Sequence, residues 1–148
     1  MDFHTLVDHT LWSTLQWSAR IAEVGWHERP AGLLSHIVLG EGMWLDRIER
    51  RRLNGAIFTV LVQNELEDAA RRQADQAHRL LRDRETKRIA YTRLSGESGE
   101  ASVAEIIVHT ITHGFHHRGQ IASWFAQQQL PYPTVDLIQF LRMRTATV

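Results

Sequence analysis

A helical hydrophobic period recurs in four stretches of roughly 20 residues or more, and this is what most limits the fold. Residues 3–24 place Phe3, Leu6, Leu11, Leu15, Ser18 and Ala22 at helical spacing, and Gly25 and Pro30-Ala31-Gly32 punctuate the end. Residues 31–52 repeat the pattern with Leu33, Ile37, Gly40, Glu41, Trp44, Leu45 and Ile48, and Asn54-Gly55 breaks it. From Phe58 to Arg84 the stripe is Val62, Leu66, Ala69, Gln73, Ala77 and Leu80, opposite a face of charged and amide residues. Arg88–Thr92 alternates and reads as extended, and Ser95–Gly99 reads as a turn. Ser102 and Glu105 have the spacing of a capping box. A fourth helix follows to about Gln128, stopped by Pro131 and Pro133, and Asp136–Arg144 forms a short last helix. Four long helices with no strong sheet signal predict an all-α, four-helix-bundle single domain over residues 1–148.

Composition removes several function classes. Lys plus Arg is 17 and Asp plus Glu is 17, so the basic excess of a nucleic-acid binder is missing. The Arg50–Arg52 run reads as a solvated helix end. With no cysteine, disulfides, thiolate metal sites and a cysteine nucleophile are excluded. The first residues lack a signal peptide's basic start and apolar block, and no stretch approaches the roughly 18 apolar residues of a membrane span. The expectation is a cytoplasmic protein with no nucleic-acid or membrane partner.

The chain carries 9 histidines, far more than its length leads one to expect. Neutral imidazole is a common metal ligand. In the segment Ile106–Ile121, His113 and His117 lie four residues apart, so their rings share one stripe about 40° wide, one turn apart. With His113 at zero, Val103, Ile106, Thr110, Gly114, Ile121, Trp124 and Phe125 occupy roughly 20° to 120°. His117 falls inside that apolar sector and His113 at its edge, so both rings are expected to face the interior. Gly114 leaves room beside them.

Two rings hold a metal weakly, so a third ligand is expected from a facing helix. His36 is the best placed, among Leu33, Ile37, Gly40 and Trp44. His4, His9, His27 and His78 are weaker candidates. His109 and His116 swing to about −40° and −60°, away from the apolar sector.

The string His113-Gly114-Phe115-His116-His117-Arg118-Gly119-Gln120-Ile121 resembles the signature of the DinB/YfiT-like metal-binding bundle superfamily, which ends its fourth helix on Asn-His-x-x-x-His-Arg-Gly-Gln. Leu34-Ser35-His36-Ile37, then Trp44-Leu45-Asp46-Arg47, resembles its second helix, and Asp136–Arg142 resembles its closing segment. Thr112 departs from the usual Asn, which puts one supporting hydrogen bond in doubt. The resemblance implies an up-down-down-up bundle with a long crossover between helices two and three. It also implies a three-histidine site for zinc or nickel, and frequent homodimers.

Three imidazoles suit zinc, nickel, copper or iron, and a three-ligand site keeps a position open for water or substrate. Glu41 and Gln120 are candidates to orient the ligand rings, and Trp44 and Trp124 are expected at the pocket wall. Arg118, about 140° from His113, reads as structural. Relatives implied by the resemblance include transferases that use low-molecular-weight thiols, a thiol-dependent isomerase and hydrolase-like members. The leading expectation is a metal-dependent thiol-S-transferase or hydrolase acting on a small molecule, with a low-molecular-weight thiol as cosubstrate. The competing one is a non-catalytic metal- or ligand-binding stress protein.

Overall fold

The computed structural model describes residues 2–53 and 55–146. Five helices and one hairpin follow in the order α1 (Phe3–Glu23), α2 (Glu28–Glu49), α3 (Gln63–Arg84), β1 (Arg88–Thr92), β2 (Ser98–Ser102), α4 (Val103–Gln127) and α5 (Leu137–Ala146). The fold is mostly helical, as expected. Asn54, half of the expected break after the second helix, lies outside the described residues.

The helix boundaries follow local chemistry. Asp2 caps α1 by accepting the Thr5 N–H at 2.8 Å. The Pro30-Ala31-Gly32 punctuation belongs to α2 rather than to the loop before it. Pro30 sits in the first turn, where a backbone N–H has no partner inside the helix to lose. Arg50 ends α2 in the left-handed conformation, φ 56°. The α3 helix starts at Gln63, so Phe58–Val62 lies in the connection and not in the helix. Ser102 and Glu105 form the expected capping box, worth about 0.5–2 kcal/mol.

A small sheet was not expected. Arg88–Thr92 pairs antiparallel with Ser98–Ser102, Tyr91 opposite Gly99 and Thr92 opposite Ser98. The turn therefore spans Arg93–Glu97, ahead of the predicted Ser95–Gly99, and Gly96 supplies its positive φ of 91°. Ser98–Ser102 is short, polar and glycine-bearing, so its strand propensity is low. Its pairing with β1 makes the strand.

α4 packs on α2 and α3 packs on α1, with α2 also touching α3. The core divides into two apolar clusters. One gathers Val7, Leu45, Ile48, Ala77, Leu80, Val103 and Ile107. The other gathers Trp17, Ile21, Leu34, Ile37, Leu66, Ile121 and Phe125. Between them in each of α1 to α4 lie polar or small residues: His9, Thr10, Ser13 and Thr14 on α1, Gly40 and Glu41 on α2, Gln73 on α3, Gly114 and Arg118 on α4.

The inner side of α1 therefore differs from the expected stripe. Of the expected residues Ser18 is fully buried, but Phe3, Leu6, Leu11, Leu15 and Ala22 are only partly buried, while Val7, Thr10, Ser13, Thr14, Trp17 and Ile21 are inside. Ser13 bonds within the helix, to Thr10 O at 3.1 Å, and Ser18 reaches Glu67 of α3 at 2.7 Å, while Thr10 Oγ1 is buried without a hydrogen-bond partner.

Candidate metal centre

The three predicted rings come together. Ligating atoms of His36, His113 and His117 all lie within 4.8 Å of one another. His36 projects from α2, and His113 and His117 from successive turns of α4. Their planes stand steeply to one another: 62° for His36–His113, 88° for His36–His117 and 77° for His113–His117. All three are half-buried. Gly40 lies opposite His113, where a Cβ would stand 3.5 Å from the ring.

Two of the rings are oriented from behind. His36 Nδ1–H donates to the Ile57 carbonyl at 3.0 Å, and His117 Nδ1–H donates to Gln120 Oε1 at 2.7 Å. Each bond fixes the tautomer and leaves Nε2 as the lone-pair nitrogen. His117 Nε2 faces His113 Nε2 at 3.0 Å. Burial, reinforced by the neighbouring imidazoles, pushes His113 down to about 4. Burial also lowers His117, against the Gln120 hydrogen bond. Both rings are therefore neutral at pH 7, the form a metal requires. Three convergent imidazoles, two of them with the tautomer set by a hydrogen bond, fit a divalent transition ion, and with no fourth side chain in the group among the described residues a position stays open.

The other candidates occupy varied positions. Gln120 holds His117. Trp44 stands between His109 and Tyr91, edge-to-face with each at 5.1 Å. Glu41 makes no hydrogen bond to the three rings among the described residues. Protein packs closely around its carboxyl although the residue keeps some surface, and this burial pushes it up to about 7, with the Arg118 charge opposing. Trp124 packs on Phe125 and His27, at 5.1 and 5.4 Å, rather than in the depressions beside the histidines. The room beside Gly114 is taken by Arg118, whose Nη2 would lie 3.2 Å from an added Cβ. Thr112 donates to its own helix, to His109 O at 2.9 Å, and supports none of the rings.

His4 and His78 pair with each other at 2.7 Å on α1 and α3. His9 is fully buried and bonds Val135 O at 2.7 Å, and burial lowers its pKa. His116 is exposed.

Two depressions flank the rings. One, about 220 Å³, runs along α2 and α4 past His36, His113, Trp44 and His109 to Arg47, with Arg93 from the hairpin. The other opens past His36, His117, Gln120 and the exposed ring of Phe58, which lies flat on His36 at 5.0 Å. Sequence reading gave no chemistry to Arg47, Arg93, Ile57 or Phe58. Arg47 alone left a signal, since it lies about 20° from His36 on the α2 wheel.

No helix among the described residues is long and apolar enough to cross a membrane. Comparison with curated proteins and with solved structures finds no match. The sequence profile of the DinB family matches residues 13–147, nearly the whole chain and all three clustered histidines, and the protein belongs to the DinB family.

Proposed function

We propose that this protein is a metal-dependent enzyme, a thiol-S-transferase or hydrolase for a small molecule, using zinc or nickel and, for transfer, a low-molecular-weight thiol. The convergence of three imidazoles from two helices, with an open side onto a pocket, carries this reading. His36, His113 and His117 would hold the ion. A divalent ion there supplies Lewis acidity, making a bound thiol or water more acidic. The rest falls to the chain itself: Gln120 and the Ile57 carbonyl fix two rings, and the Trp44 wall keeps water from one side of the pocket.

The proposal extends to an up-down-down-up bundle crossing over through residues 50–62, and to a cytoplasmic homodimer. The residue order through the two apolar clusters supports the topology: both draw on early α1, late α2, late α3 and early α4 residues together, or on the reverse.

Elemental analysis of the purified protein, followed by turnover of thiol–electrophile pairs and of an ester and amide panel, tests the function. One equivalent of metal and turnover that ceases on chelation are expected. Metal without turnover leaves the non-catalytic binding reading. Absence of metal affinity overturns both.

A further inference from the structure

We propose that the pocket beside the three histidines takes a small molecule bearing an anionic oxygen group, which Arg47 binds while the other end reaches the rings. This rests on the metal-site reading above and names the class of substrate.

Arg47 is the odd residue of the pocket. It is 8% exposed, and its guanidinium lies 4.4 Å over the face of Trp44. Nε and Nη1 are buried without a hydrogen-bond partner, and no acidic residue pairs with it among the described residues. A guanidinium has five donors in a fork that matches a carboxylate, phosphate or sulfonate. Buried donors left unmade are costly and rare in folded proteins. Cation–π packing on Trp44 explains where the group rests but satisfies none of its N–H bonds.

The rest of the lining has the same sign. No Asp or Glu lines the pocket. Arg93 does, and its acidic partner is Glu97 at 2.7 Å, an ion pair on the exposed hairpin with side chains 58% and 67% accessible. Exposed pairs of this kind contribute little and exchange readily. Arg118, also buried and without hydrogen bonds, is a different case: the neighbouring Glu41 favours its charge, and none of the described pockets is lined by it. A cation held by the three imidazoles would add further positive charge.

Spacing sets the ligand's length. Gly40 faces His113, and Trp44 faces His109 one turn along, about 5–6 Å. The guanidinium over Trp44 is therefore roughly one turn from the ring cluster, a span a short chain can cross.

The test uses the cobalt(II)-loaded protein and the thiolate-to-metal absorption band. The probes are 6-mercaptohexanoate, 6-mercaptohexanesulfonate and the neutral 6-mercaptohexanol. At least one anion is expected to bind about tenfold or more tighter than the alcohol, and the planar and tetrahedral probes separate a carboxylate from a phosphate-like preference. In Arg47→Gln the preference is expected to fall within twofold of unity, with metal content and alcohol affinity unchanged. Equal binding of all three probes by the wild type, or a preference kept in Arg47→Gln, overturns the proposal. Should that variant not fold, mercaptoalkanoates of two to six methylenes decide on the wild type: an optimum at a spanning length is expected, and a flat series overturns it. If no metal binds, the functional reading fails by itself. Hexanoate against hexanol, titrated calorimetrically into metal-free protein with and without Arg47→Gln, then still decides the anion site.

Discussion

Two histidine clusters sit on this bundle, and only one is suited to a metal. On α2 and α4, His36, His113 and His117 present steeply inclined rings, two of them tied on Nδ1 by Ile57 O and Gln120. On α1 and α3, the rings of His4 and His78 are nearly parallel, 11° apart, with their Nδ1 atoms 2.7 Å from each other. His78 Nε2–H donates to Asp8 at 2.8 Å. Among the described residues this pair belongs to no group of three ligating atoms within reach of one another. What separates the clusters is convergence: three ligating atoms lie within mutual reach in one, and two rings stack in the other.

The strongest way to break this contrast is to remove one ring from each cluster. His117→Ala should lower metal affinity by more than the roughly 10–100-fold typical of losing a supporting contact, with the helical circular dichroism unchanged. His78→Ala should leave metal content, read by elemental analysis, at the wild-type level. If the two variants lose metal equally, ring geometry is not what decides.

A milder change probes the support alone. Gln120→Ala keeps all three rings but frees the His117 tautomer. About 10–100-fold weaker binding is expected in a competition titration with a chromophoric chelator. Unchanged affinity would mean that convergence suffices without orientation.

The layer between the apolar clusters offers a third centre, charged rather than imidazole. Burial, opposed by Arg118, pushes Glu41 from 4.5 up to about 7. The folded state then keeps this proton where the unfolded chain has lost it. The contribution is present in full below about pH 4.5 and is lost as pH rises to about 7. Denaturant titrations should show about 1–2 kcal/mol of that decline, discounted for the carboxyl's partial exposure, and Glu41→Gln should flatten it. A slope unchanged in the variant would place the proton elsewhere.

The α4 wheel predicted most of the metal centre, because i, i+4 spacing on a capped helix fixes directions before any tertiary contact forms. His36 was reachable for the same reason, as the one histidine among the inner residues of α2. The support for His36 was not readable, since it comes from the backbone carbonyl of Ile57 in a connection whose path the pattern does not set. Arg118 was read as structural, but not as a guanidinium folded over Gly114, a contact that depends on the packing of α1 and α2 around α4. The hairpin escaped because Ser98–Ser102 has no strand propensity of its own. On α1, the spacing picked the flank apart from Ser18, because the buried side mixes Val7, Trp17 and Ile21 with hydroxyl residues and so shows no continuous apolar stripe.

The smallest expected effect tests whether the α1–α3 cluster is a structural tie. Asp8 accepts from His78 Nε2 and lies 3.4 Å from Arg144 of α5, so one carboxylate links three helices. With side-chain exposures of 41% for Asp8 and 23% for His78, water screens the interaction, and its worth is modest. Asp8→Asn keeps an oxygen to accept the His78 proton but removes the charge. A loss of about 0.5–1 kcal/mol follows, seen as a fall in Tm of about 2–4 °C at most for a chain of this size. Metal content should not move, because no atom of this chain of contacts reaches His36, His113 or His117. A variant that kept its Tm and lost metal would join the two clusters into one system, and the contrast between three convergent ligating atoms and a stacked pair would no longer explain which of them suits a metal.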